Sequence, residues 1–243
     1  RFGNLKNIQK VFLHCYFNSP NTNSLFKELT SNKETDFSRY NYFYASYLAT
    51  LGKTEKAKDT VKSALRSHPR NLLLNQYKID LKEGKNTFNF NCKNKANVVA
   101  EILYIASNAL SSQAIYPLSN FYLNLAKHLN KDFISYDTLL AENFYEIDDF
   151  DKAKKIYKNL SKKGKAFLWY SSKQLARIYI KEENKKKALE LLSAAYNNLQ
   201  SKDYYETFDY AEFLKNNEKF RESIPYYTKI INEVKNNHPL FAE

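Results

Sequence analysis

The sequence predicts an all-α protein built as a stack of antiparallel helix pairs, and three observations carry that prediction. Ala106, Ala141, Ala176 and Ala211 fall 35 residues apart, and Ala153, Ala188 and Ser223 form a second ladder of the same period. A period of about 20 to 50 residues is the signature of stacked repeats, and small residues inside helical patterns at this spacing point to paired helices. Only four Gly and five Pro occur in 243 residues, little material for the turns of a β architecture. Apolar residues around the ladder positions recur at i, i+3, i+4 and i+7, the stripe of a helix with one buried face.

Element by element, residues 4–17 place Leu5, Ile8, Phe12, Cys15 and Tyr16 on one helical face. Ser19-Pro20 breaks that helix, and a short second one carries Leu25, Phe26 and Leu29. A first clear pair follows, helix A over 39–51 and helix B over 55–67, joined at Gly52-Lys53-Thr54. His68-Pro69 stops it, because proline disfavours helical geometry in the residue before it. Its small positions are Ala45, Ala57 and Ala64. Residues 71–82 read as an extra helix ended by Gly84. In 85–96 the alternation of Phe88, Phe90 and Cys92 among asparagines opposes helix, so an extended insertion is expected over 84–97.

From Asn97 onward the pattern is regular. First helices (A) are expected over 98–111, 134–147, 168–181 and 204–217, and second helices (B) over 116–129, 150–163, 185–200 and 220–235. Pro117 falls in the first turn of its helix, where its missing N–H costs nothing. Pro225 falls deeper and is expected to bend its helix or delay its start. The organisation is then a degenerate helical repeat over 1–37, a repeat unit with an extra helix over 38–83, the insertion, and four regular units over 98–243. Helices within a pair approach to about 8–9 Å only where the contact residue is small, which is why bulk is excluded at a fixed period.

These residues resemble tetratricopeptide repeats. Leu175-Ala176, Tyr179, Ala188, Leu192 and Ala195 match the pattern in one unit; Leu140-Ala141, Phe144, Ala153 and Tyr157 match it in the unit before. Ala45, Ala57, Ala64 and Pro69 give a third match, and Ala211, Leu214, Tyr227 and Pro239 a weaker fourth. The resemblance implies a right-handed superhelical solenoid serving as a protein-interaction scaffold. A finer similarity is to the C-terminal halves of long bacterial tetratricopeptide proteins of alphaproteobacterial type. It rests on Ala100-Glu101-Ile102-Leu103-Tyr104 and on the segment from Trp169 to Ala176, and it implies a cell-envelope location.

Charge and chemistry narrow the function. The chain carries 38 basic against 26 acidic residues, a net +12, yet only six of the basic residues are Arg. Arg is the preferred residue for bidentate phosphate and base contacts, and the surplus of Lys, Asn, Ile, Tyr and Phe matches AT-rich codon usage. Nucleic acid is therefore disfavoured as a partner. No apolar run approaches the roughly 20 residues of a membrane-spanning helix. Cys15 and Cys92 lie in no CxxC motif; a free buried Cys behaves as a small hydrophobe, and the sequence leaves their redox state and the compartment open. The chain starts at Arg1 and holds no Met, as expected of a fragment or processed product, and its apolar end, Pro239-Leu240-Phe241-Ala242, is expected to fold back or lead into further chain.

No catalytic set or cofactor motif is present. His14, His68, His128 and His238 are far apart, and His14 and Cys15 as neighbours on a helix point about 100° away from each other. Asp148-Asp149-Phe150-Asp151 lacks the Gly and closing Glu of a calcium loop and reads as a helix cap, with Asp148 or Asp149 in that role. The chain is thus expected to be non-enzymatic, without metal or cofactor.

Placed in register with the repeats it resembles, the chain directs the first helices to the concave groove. Lys173, Arg177 and Lys181 then lie on one open face at i, i+4 and i+8. One unit earlier come Thr138, Glu142, Tyr145 and Glu146; one unit later, Tyr205, Phe208, Glu212 and Lys215. Such a groove suits an extended segment of another protein, with aromatic anchors supplying area and charges fixing register. The competing arrangement pairs Glu142 or Glu146 with Lys173 or Arg177. A carboxylate clamp would need further basic residues where Tyr205 and Asp209 stand. The alternatives are a polyanion or acidic membrane-surface binder using the lysines of second helices (Lys152, Lys154, Lys155, Lys158, Lys162, Lys163, Lys165 and 185–187), and a helper segment of a larger trimmed protein.

Overall fold

A computed structural model describes residues 2–31, 38–85, 89–200, 202–234 and 240. Among the described residues the regular structure is α-helical, without strands. In chain order the helices are α1 (Phe2–Tyr16), α2 (Thr22–Ser31), α3 (Ser38–Thr50), α4 (Thr54–Ser67), α5 (Leu72–Lys82), α6 (Lys95–Ser111) and α7 (Tyr116–Leu129). Then come α8 (Ser135–Glu146), α9 (Phe150–Leu160), α10 (Lys165–Lys181), α11 (Lys185–Asn197), α12 (Tyr204–Asn216) and α13 (Phe220–Glu233). The chain divides into two compact units, Arg1–Ala166 and Phe167–Glu243.

The hairpins α1/α2, α3/α4, α6/α7, α8/α9, α10/α11 and α12/α13 turn in the same way. Asn18, Gly52, Ala114, Asp148, Glu183 and Glu218 take positive φ between 54° and 73°. In each case the next N–H reaches back five residues, from Ser19 to His14, Lys53 to Leu48, Ile115 to Leu110, Asp149 to Phe144, Asn184 to Tyr179 and Lys219 to Leu214, at 2.8–3.0 Å. This left-handed cap satisfies carbonyls that the last turn of a helix leaves open. One rigid turn, repeated, fixes how each second helix leaves its first.

The ladder of small residues marks where the helices nest. Ala141, Ala153, Ala176, Ala188 and Ala211 are fully buried and Ser223 nearly so. At the start of the ladder the structure differs from the sequence reading. Ala106 is only half-buried, and Ser107 and Ser119 occupy the small positions. The Ser119 hydroxyl donates to the Ser107 carbonyl at 2.8 Å, closing α6 onto α7. The spacing there is 34 rather than 35 residues, and serine is as small as the contact requires.

The first unit has an aromatic core. The Phe43 ring lies 4.3 Å from Phe90 and 5.6 Å from both Phe12 and Phe133, centroid to centroid. Phe90 comes from the segment between α5 and α6, which is non-helical where described, and Phe88 lies outside the described residues. That segment is part of the core rather than an appendage, since Phe90 and Cys92 are both buried. Cys92 is joined to Cys15 of α1 by a disulfide with Cα atoms 5.8 Å apart, within the span a disulfide accepts. Two cysteines that no sequence motif pairs are thus a covalent tie between elements 77 residues apart. The helix α5 packs against α3 and α4, and its Gln76 accepts the Ala166 N–H at 3.1 Å.

The second unit is organised around tyrosines. Tyr196 and Tyr210 stack at 4.3 Å, and Tyr226 meets both edge-on. Leu240 is buried with Ile230 and Val234, while His238, Pro239, Phe241 and Ala242 lie outside the described residues. Helix α13 starts at Phe220 and continues through Pro225.

Candidate functional site

The residues expected to face a ligand lie on α8, α10 and α12, and each unit presents its own set. In the first unit, α8 is entered through Ser135, and its Thr138 hydroxyl donates to the Ser135 carbonyl at 2.7 Å. Thr138 is therefore engaged with its own helix. Glu142 and Glu146 are exposed one turn apart. Tyr145 is half-buried, its ring 5.8 Å from that of Phe150 at the start of α9. That contact belongs to the hairpin itself.

In the second unit, Lys173 of α10 is half-buried in an ion pair with Asp209 of α12, its ammonium also 5.9 Å from the Trp169 ring. Asp209 is the residue that stands where a carboxylate clamp would want a cation. Arg177 is exposed and donates to Gln174 at 2.9 Å, and Lys181 is exposed one turn further on. On α12, Tyr205 and Phe208 are half-buried and pack on Ile230, Val234 and Leu240. Glu212 accepts from both Lys215 and the Tyr227 hydroxyl, and burial, with Glu212 as acceptor, pushes the Tyr227 phenol above its ordinary range. The second unit thus sets out Arg177 and Lys181 beside a fixed Lys173–Asp209 pair, while its aromatic members are half-committed to packing.

Glu206 occupies the third position of α12 and closes a capping box with Asp203: the Glu206 N–H donates to the Asp203 carboxylate at 2.8 Å, and the Asp203 N–H donates back at 3.0 Å. Burial, and then the carboxylates of Asp203 and Asp209, push Glu206 up to about 7 despite the return bond and Lys173. At α9, Asp149 is the cap, accepting from the Lys152 N–H at 3.3 Å. The Lys152 ammonium holds its carboxyl below the usual carboxylate range. His14 does not face Cys15; its ring nitrogen meets the Ser19 hydroxyl at 2.8 Å. Among the described residues no group of three His, Cys, Asp or Glu is placed to hold a metal ion.

Sequence reasoning missed a buried charge cluster in the first unit. There Arg39 of α3 makes a two-pronged pair with the fully buried Glu101 of α6, both bonds at 2.7 Å, and donates to Ser135 at the start of α8. Its guanidinium lies 3.8 Å from the Tyr104 ring centre and 5.0 Å from that of Phe133, and the Tyr40 hydroxyl also bonds Glu101. Burial pushes Glu101 upward against the pull of Arg39. Burial also opposes the charge on Arg39, but Glu101 outweighs it and holds the guanidinium above its ordinary value. This cluster pins three helices together. The available signal was Glu101 itself, a charge set among the apolar residues Val98, Val99, Ala100, Ile102 and Leu103; nothing marked its partner 62 residues away.

A cavity of about 190 Å³ opens beside the disulfide, lined by Phe26, Phe43, Tyr47, Leu51, Phe90 and Cys92 among others.

No family model matches the chain, and no curated protein matches it. Solved structures do. A tetratricopeptide repeat protein from Parabacteroides merdae is 12% identical, with 98% of this chain and 95% of that one covered, at a TM-score of 0.44. A MamA double mutant from strain RS-1 is 13% identical over 80% of this chain and 93% of its own, at a TM-score of 0.31. MamA from MSR-1 is 11% identical over 81% and 97%, at 0.30.

Proposed function

We propose that the chain is a non-enzymatic scaffold that holds an extended segment of another protein against the exposed faces of its first helices. The observation that carries this reading is, within the second unit, a pair of exposed cations on α10 beside the Lys173–Asp209 ion pair. Glu142 and Glu146 stand exposed on α8, and Arg177 and Lys181 stand exposed on α10, each pair one turn apart. A segment with acidic side chains one helical turn apart would gain register from Arg177 and Lys181. The Lys173–Asp209 pair would supply a rigid reference beside the basic positions.

Reversing the charges tests the reading. Arg177→Glu/Lys181→Glu should weaken capture of the partner at least about tenfold, a change of 1.4 kcal/mol, while Lys155→Glu/Lys158→Glu on α9 should leave it unchanged. Equal loss in both variants, or none in the first, contradicts the proposal.

The disulfide supports a location for this scaffold in an oxidising compartment, because such bonds persist there and are rare in reducing ones. Alkylation of the protein recovered from its own cells under denaturing conditions should find neither cysteine modified until a reductant is added. Two modified thiols before reduction would refute the assignment.

A further inference from the structure

Twenty-five consecutive residues, Ile102–Ala126, carry no charge in a chain that is 26% charged. They cover most of α6 and the greater part of α7. On α7 this neutrality reaches the surface: Leu118 is 43% exposed, Phe121 57% and Leu125 39%, with Ile115 at 43% just before the helix. The spacing places Leu118, Phe121 and Leu125 on one side of the helix. Tyr116 and Tyr122 are half-buried beside them. Three apolar side chains protrude along about 10 Å of helix, at ~1.5 Å per residue.

The next second helix of the same unit has the opposite character. On α9, Lys155, Lys158 and, just past its end, Lys162 are exposed at i, i+3 and i+7, with Lys163 beside them. The acidic residues at the start of α9 are engaged by other lysines, Asp149 by Lys152 and Asp151 by Lys154. Helices α7 and α9 are second helices of successive hairpins in the first unit and both pack on α8, the arrangement that gives a stack of repeats its outer side.

We propose that this outer side docks peripherally on an acidic bilayer, with Leu118, Phe121 and Leu125 entering the headgroup boundary and Lys155, Lys158 and Lys162 lying on anionic headgroups. Apolar residues with neighbouring lysines and flanking tyrosines are the combination that binds such an interface. A second copy of the chain fits less well, since it brings the same lysines and a net +12 to the contact. A folded or helical protein partner would need a cleft to receive its own side chains, whereas α7 offers protruding ones; a fluid interface moulds around them. Its residues are different from those of the first-helix faces in the proposed scaffold.

Flotation of the whole chain with vesicles tests the proposal. Binding is expected to phosphatidylcholine vesicles containing about one-third phosphatidylserine and not to phosphatidylcholine alone. With each lysine near the surface worth about 1 kcal/mol, Lys155→Glu/Lys158→Glu/Lys162→Glu should weaken binding more than tenfold. Leu118→Ser/Phe121→Ser should weaken it comparably, and Arg177→Glu/Lys181→Glu should not. Phe121→Trp keeps the test valid if the serine variant loses its helical circular dichroism: tryptophan emission from that position should shift to the blue on adding acidic vesicles. Absence of binding, binding indifferent to the α7 substitutions in a folded variant, unshifted emission from the Phe121→Trp variant, or retention of an acidic amphipathic peptide without vesicle binding would each overturn it.

Discussion

Arg39 shows how much a single buried charge pair can organise. Removing one partner leaves the other uncompensated inside the protein, so Glu101→Ala should cost about 3–5 kcal/mol, whereas Arg39→Met/Glu101→Leu should cost far less. Chemical denaturation of the two variants measures the difference. Glu206 makes a pH-dependent prediction. Its folded value near 7 lies above the ordinary carboxylate value of 4.5, so its contribution is fully present below about pH 4.5 and lost as pH rises through about 7. The melting temperature gap between wild type and Glu206→Gln should therefore change between pH 5.5 and 8, with wild type losing ground at the higher pH; a constant gap would refute the assignment. The sequence narrows the cap of α9 to Asp148 or Asp149 because capping is local, settled within four residues, and the structure gives the role to Asp149. The Arg39–Glu101 pair and the disulfide are invisible there because both are made by tertiary contact. Lys173 is an intermediate case: its place on the helix is readable, its pairing with Asp209 is not.

Helices are the most legible level. Their boundaries follow from apolar periodicity, from Pro69 and Pro117, and from the ladder of small residues, all properties of short stretches of chain. Two features escaped. The 84–97 segment reads as an extended insertion by the alternation within it, yet Phe90 is core and α6 already starts at Lys95, because a single aromatic residue does not reveal which surface it will fill. The second is the turn chemistry. Asp148, Glu183 and Glu218 adopt positive φ without being glycine, and for an ordinary L-residue that geometry costs about 1–2 kcal/mol. Glu183→Gly should stabilise the α10/α11 hairpin, with the gain reduced by glycine's extra unfolded-state entropy to at most about 1 kcal/mol. Thermal unfolding reads it as a small upward shift. Gly164, at φ 153°, is the opposite case: a Cβ there would meet the Gln76 amide oxygen at 2.2 Å. That oxygen is held by the Ala166 N–H, so Gly164→Ala should destabilise the first unit by about 1–3 kcal/mol.

Across the whole molecule the organising fact is that bulk is excluded at a regular period, which lets each first helix nest on its second in both units. Stacking of this kind lets a chain grow without a single central core, and the disulfide adds a tie across 77 residues near its beginning. Cys15→Ser should lower stability by about 2–4 kcal/mol, checked by denaturation with and without reductant, the reductant acting on wild type alone. The central claim is that the first-helix faces receive another polypeptide. A photo-crosslinking amino acid placed in turn at Glu142, Arg177 and Lys181, and at Lys155 and Lys158 for comparison, tests it in the native cell. One discrete protein adduct is predicted from the first three positions and not from the last two. Adducts of equal yield at all five, or from Lys155 and Lys158 alone, would contradict the account.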